Sequence, residues 1–168
     1  MLFNIKTNIL RNIMLKEYEL NSIIKKSLDW AHKISDAGQV EHGKSPFDGF
    51  GRYKNLPVYW ESKFLPEIKS FNFNRLEDHQ LESLKETSKI KNSLSLFLIG
   101  VNFGRSDIRV FIFRDLDYIE NRKKEKRNIL KKEFLERTNF IKIKKGMLNI
   151  EELLNIPQKE EYFEGNDK

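Results

Sequence analysis

The chain has 168 residues, 39% of them hydrophobic and 13 of them Phe, enough to bury one ordinary core without calling for a second domain. With 31 Lys and Arg against 25 Asp and Glu, the formal net charge is +6 and the isoelectric point about 9.4, a balance that favours a polyanionic partner. The lack of cysteine excludes a disulfide framework and a thiolate zinc site and is compatible with a reducing compartment. The longest apolar run, Leu96 to Val101, is far short of the roughly 20 residues that a bilayer-spanning helix needs, so no membrane partner is expected.

Met1 to Leu15 contains no acid and carries Lys6 and Arg11; it is faintly like a transit peptide but has no signal-peptide cleavage pattern, and it reads as an N-terminal arm or helix. From Glu17 to Ser35, apolar residues recur at helical spacing (Leu20, Ile23, Ile24, Leu28, Trp30, Ala31, Ile34), predicting a first helix with a buried stripe. Ala37 to Asn55 reads as loop and hairpin. Its end, Asp48 to Asn55, holds Gly49, Gly51 and a Lys54-Asn55 pair suited to a tight turn. Leu56 to Phe64 has the β-branched and aromatic content of a strand, with Pro57 tolerated only near its start.

Leu65 to Phe73 is irregular and anchored by Phe71 and Phe73. Arg75 to Thr87 follows as a helix, with Asn74 as its N-cap and Leu76, Leu81 and Leu84 facing inward. Strands are predicted at Leu94 to Gly100 and Ile108 to Phe113, joined by a polar turn. The strand–helix–strand order from Val58 to Gly100 predicts a parallel pair with a right-handed crossover. A dense basic run from Asn121 to Lys132 leads to a strand-like Phe140 to Lys144, and the tail from Lys159 to Lys168 reads as disordered. The fold class expected is α/β, a mixed β-sheet flanked by helices in one domain.

Chemistry concentrates between Phe47 and Gln80. Side chains alternate along a strand, so Glu61 and Lys63 share one face while Val58, Trp60 and Ser62 share the other. The hairpin can bring Asp48 beside Glu61. Two carboxylates held that close take up protons unless a cation lies between them, and a hard, oxygen-seeking Mg²⁺, or Mn²⁺ in its place, suits the pair. Lys63 can hold or help deprotonate an attacking water and offset charge on a pentacovalent phosphate. Equally open is a plain surface salt bridge on an exposed strand face, since Glu-x-Lys is common on strands. A helix after the strand packs beside it, so one turn can deliver Gln80 to the same place. His79 is open between packing and substrate contact, and His32 and His42 fall in no metal-ligand spacing.

The basic run has two readings. Arg122, Lys123, Lys124, Lys126, Arg127, Lys131 and Lys132 can form a phosphate-contacting surface, joined by Arg52 and Lys54 of the hairpin, or they can belong to a solvated connection.

The residues Glu61-Ser62-Lys63, with Pro46-Phe47-Asp48 in front, resemble the PD-(D/E)XK nuclease signature. Within that superfamily the chain is similar to the RecU Holliday junction resolvases: Gly51-Arg52-Tyr53, Tyr59-Trp60-Glu61-Ser62-Lys63, Ser70-Phe71-Asn72-Phe73 and Asp78-His79-Gln80 fall in that family's order, over roughly Phe47 to Arg122. The resemblance implies a restriction-endonuclease-like core. It also implies metal binding by Asp48, Glu61 and the backbone carbonyl of Ser62, a catalytic Lys63, an active-site Gln80, and Glu19 of the first helix as an accessory acid. Mg²⁺-dependent cleavage of four-way DNA junctions by a cytoplasmic homodimer, leaving 5′-phosphate and 3′-hydroxyl ends, is the activity it implies. RecU proteins carry more sequence between the first helix and the aspartate, including a stalk that grips the junction, where this chain has only residues 35–46. That departure keeps two alternatives in view: a site-specific nuclease of restriction or homing type, and a DNA-binding protein without activity.

Overall fold

In the computed structural model, which describes residues 16–34 and 45–156, two glycines decide how the sheet begins. Strand β1 (Trp30–Lys33) lies against β2 (Gly49–Tyr53) with Ala31 opposite Gly51. A Cβ at Gly51 would stand 2.5 Å from the Trp30 carbonyl oxygen and 2.9 Å from Leu28 Cδ1, and one at Gly49 would collide with the ring of Trp60. Close approach of these strands therefore depends on residues without side chains.

Four further strands complete a six-stranded sheet in sequential order: β3 (Leu56–Leu65), β4 (Leu94–Asn102), β5 (Ile108–Phe113) and β6 (Phe140–Lys142). Only β3 and β4 run parallel; every other neighbouring pair is antiparallel. The helices are α1 (Glu17–Ser27), α2 (Asp78–Ser88), α3 (Leu116–Lys124), α4 (Lys131–Glu136) and α5 (Ile150–Leu154). The described residues thus form an α/β fold with a mixed sheet flanked by helices, and the expected parallel pair spans α2. No helix among them is long and apolar enough to cross a membrane.

Both faces of the central strands are covered, which is why Ser95 to Val101 is buried without interruption. On one face Leu20 and Ile24 of α1 pack with Trp60, Leu96, Leu98, Val110 and Leu153. On the other, Phe97, Ile99, Phe111 and Phe113 meet Leu81, Leu84, Ile119 and Phe134. Trp60 is wholly buried and donates its indole N–H to Asn21 Oδ1 at 2.8 Å, so the α1 side is held by a satisfied polar contact as well as by apolar area.

Three sequence expectations are corrected. The first helix stops at Ser27 and not Ser35: Asp29 donates its N–H to the Arg52 carbonyl and accepts from the Lys54 N–H, so the chain turns into β1. Trp30 is consequently 54% exposed on an edge strand and not part of a buried helical stripe. The second helix starts at Asp78 after Glu77, because Asn72 accepts from the Asn74 N–H and closes a separate 3-10 turn over Phe73–Arg75. Leu76, Leu81 and Leu84 are nevertheless buried as expected.

The third correction concerns Arg122, expected on a DNA-facing surface. It is buried on α3, where its guanidinium donates to both carboxylate oxygens of Glu133 at 2.9 and 3.0 Å. Glu133 also accepts from the Leu130 N–H at 2.6 Å, and Arg137 beside it reaches the Tyr118 hydroxyl. The run from Asn121 to Lys132 is thus the end of α3, a turn and the start of α4, knotted by a buried ion pair. Removing one partner of such a pair strands the other charge, so Glu133→Ala is expected to lower unfolding free energy by about 3–5 kcal/mol in a urea titration. A loss under about 1 kcal/mol would reduce the pair to a surface contact.

The N-terminal arm, His42 and the tail from Lys159 lie outside the described residues.

Candidate active site

The register of β2 against β3, Gly49 opposite Trp60, continues to place Asp48 opposite Glu61, with its carboxylate within reach of Ser62. Asp48 Oδ2 accepts from the Ser62 N–H at 2.8 Å and from its hydroxyl at 2.9 Å. The alternation of β3 turns Glu61 and Lys63 toward the α2 face, and there the carboxylate of Glu61 is wholly buried. Its Oε1 accepts from Lys63 Nζ at 2.7 Å and from Gln80 Nε2 at 2.8 Å. Its Oε2 is buried with no hydrogen-bond partner among the described residues.

Gln80 is aimed by the start of its own helix. Its amide oxygen accepts from the Glu77 N–H at 2.9 Å, which leaves the amide nitrogen to point at Glu61. His79 binds the Ser45 carbonyl through Nε2 at 2.9 Å, fastening α2 to the segment that leads into Asp48. It acts here as a positioning residue.

Lys63 has a second carboxylate. Glu17 Oε1 lies 3.5 Å from its ammonium, and the other Glu17 oxygen lies 3.6 Å from the Arg75 guanidinium, which also donates to the Phe64 carbonyl and sits over the Phe71 ring. The acid that α1 brings to the site is therefore Glu17. Glu19, expected in that role, turns back and accepts from the Lys16 N–H at 2.7 Å, capping its own helix. Two helical residues two positions apart point roughly 200° from each other, so only one of them can face the sheet's end. Arg75 was legible only as a helix residue.

Electrostatics follow from burial. Burial, and then the Asp48 carboxylate, push the Glu61 pKa from its ordinary 4.5 up to about 7, with Lys63 opposing the rise. Burial alone would lower the Lys63 pKa; the Glu61 carboxylate bonded to it more than offsets this and holds the ammonium above its usual range. A carboxylate so placed holds its proton more tightly than a free one unless positive charge beyond that of Lys63 joins it.

Among the described residues, no group of three or more His, Cys, Asp and Glu side chains gathers into a ready-made metal cage. The donors on hand are the Asp48 and Glu61 carboxylates and the Ser62 carbonyl, all hard oxygens, and the partnerless Glu61 Oε2 is a buried acceptor with room in its bonding for a cation. The set fits Mg²⁺ or Mn²⁺ and does not suit a soft metal.

The basic residues separate into two groups. Lys123 is tied to the Leu76 carbonyl and to Asp78, joining α3 to α2, and Lys54 is paired with Glu151. Lys124 and Arg127 are exposed beside Glu120 and Glu125, while Arg52, Lys126, Lys131 and Lys132 are exposed and enter no ion pair among the described residues. Comparison of the chain with protein-family models and with curated proteins gave no match.

Proposed function

We propose that this chain is a divalent-cation-dependent DNA endonuclease with a PD-(D/E)XK core, acting on four-way junctions in the manner of RecU-type resolvases. The observation that carries the reading is the Glu61 carboxylate: wholly buried, gripped on one oxygen by Lys63 and Gln80, bare on the other, and next to Asp48. In this reading a cation supplies the partner that the buried Glu61 Oε2 lacks.

In this reading Asp48, Glu61 and the Ser62 carbonyl hold Mg²⁺ or Mn²⁺, which supplies Lewis-acid stabilisation of phosphate charge and a more acidic water. Lys63 orients the attacking water and offsets the charge that builds on the phosphate. Gln80 fixes the carboxylate that Lys63 leans on, and Glu17 steadies the ammonium from the far side. Hydrolysis leaves a 5′-phosphate and a 3′-hydroxyl. A junction presents two equivalent strands, so a two-fold homodimer with two such sites matches its symmetry. A cytoplasmic, bacterial or phage-like setting belongs to the same proposal.

The short segment between α1 and Asp48 favours a second reading, a site-specific nuclease of restriction or homing type, because it leaves little sequence for a junction-gripping stalk. Labelled four-way junction beside linear duplex of equal length, with Mg²⁺ and with chelator, separates the two. The resolvase is expected to prefer the junction whatever its arm sequence, and its binding to fall steeply with salt. Cleavage of one duplex sequence, with each wrong base pair costing about 1–3 kcal/mol and no preference for junctions, would favour the second reading.

A further inference from the structure

Among the described residues strand β1 is an edge of the sheet, yet it presents an indole to solvent. Trp30 and His32 alternate on the face shared with Glu61, opposite Arg52 and Phe50 of β2. The Phe50 ring meets Trp30 edge-on at 5.5 Å between centroids and His32 at 5.8 Å. Phe50 stands directly opposite Tyr59, and Tyr59 is two residues before Glu61 on the same strand face. A row of rings therefore runs from the open edge to the acid pair, its last ring about 7 Å along the strand from Glu61. On this face α2 lies over β3 and β4, while α1 meets β1 and β3 from the other face, where Leu28, just past its end, packs against Gly51.

Charge says what suits the row. Arg52, directly opposite Trp30 and on the same face, is exposed and without an ion pair among the described residues, so the surface offers stacking planes and an unspent cation together. Aromatic rings beside a free cation, leading to the proposed phosphate-cleaving centre, are the elements of a surface for unstacked nucleobases. An apolar protein partner would leave Arg52 unanswered.

We propose that Trp30, His32 and Phe50, with Arg52, form a stacking platform for unpaired bases next to the cleaved strand. This rests on the nuclease reading and adds its substrate class: DNA with unpaired nucleotides at the site, as at the centre of a branched structure. Trp30 is the outer stacking plane, Phe50 sets its angle, and Arg52 holds the backbone.

Tryptophan fluorescence of the full chain tests this in chelator, where no cleavage takes place. The chain has two tryptophans, and Trp60 is wholly buried, so a ligand-induced change reports Trp30. Oligothymidylate is expected to quench the emission, whereas an abasic strand of equal length and charge is not. Trp30→Ala, a change at an exposed position, is expected to weaken oligothymidylate binding about tenfold and to leave abasic binding unchanged. Arg52→Ala is expected to reduce the salt slope of binding to both strands. Equal binding of the two strands, or an unaltered affinity in Trp30→Ala, overturns the platform. So does an indole already shielded from acrylamide in the free monomer, which would mean that the chain covers it itself, or a concentration-dependent dimer lost in Trp30→Ala, which would mean that a second copy does. Junction cleavage in Mg²⁺ without base-dependent quenching sinks the platform and leaves the nuclease reading intact; quenching without cleavage does the reverse.

Discussion

Glu61→Gln is expected to abolish Mg²⁺-dependent cleavage while making the cation-free protein more stable at pH 8. The amide keeps an acceptor for Lys63 and Gln80 but cannot carry the charge that a cation needs. The pH dependence has a definite sign. A carboxyl whose pKa rises from 4.5 unfolded to about 7 folded binds its proton more tightly in the native state, so its contribution to stability is full below about pH 4.5 and is lost as the pH climbs through 7. The shift corresponds to roughly 3 kcal/mol, at about 1.4 kcal/mol per pH unit. In chelator, the stability of Glu61→Gln relative to the parent is therefore expected to grow by about that amount between pH 4.5 and 8, and the gap to narrow when Mg²⁺ is added, since a ligand at a hundred times its Kd stabilises by about 2.7 kcal/mol. Asp48→Asn should also abolish cleavage, and either variant should bind DNA at least as well as the parent, because a negative charge facing phosphate is gone. Full activity in either, or a pH-independent stability difference, would sink the metal-centre assignment.

Lys63→Ala is expected to lower kcat by about 10²–10⁴-fold with little change in DNA affinity. A group whose interaction grows as charge develops on the phosphate acts on turnover and not on ground-state binding. Gln80→Ala should follow in the same direction and more mildly, because a neutral amide that orients Glu61 neutralises nothing. Single-turnover rates with Kd measured in chelator separate the two quantities. Equal losses in rate and affinity for Lys63→Ala would make the lysine a simple phosphate anchor. Glu17→Gln is the matching probe of the far side of the ammonium, and Glu19→Gln, which touches only the helix start, is its control.

By itself the sequence determined what is local or periodic. A period of two settled that Glu61 and Lys63 share a face and Trp60 the opposite one; helical spacing after a strand settled that α2 buries Leu81 and Leu84; and the strand–helix–strand order settled that β3 and β4 run parallel. The glycines at 49 and 51 and the Lys54-Asn55 pair were enough to announce the hairpin. What remained depended on groups far apart in the chain. Trp30 to Lys33 continued a helical apolar pattern, and only the ladder to Gly49–Arg52, permitted by the bare Cα of Gly51, made it an edge strand. Glu17 and Glu19 are equivalent as letters in a first turn, and the direction of α1 against the sheet chose between them. Arg122 is one cation in a basic run until α4 folds Glu133 onto it, because burial of a charge is decided by the partner that tertiary packing supplies and not by its neighbours in sequence.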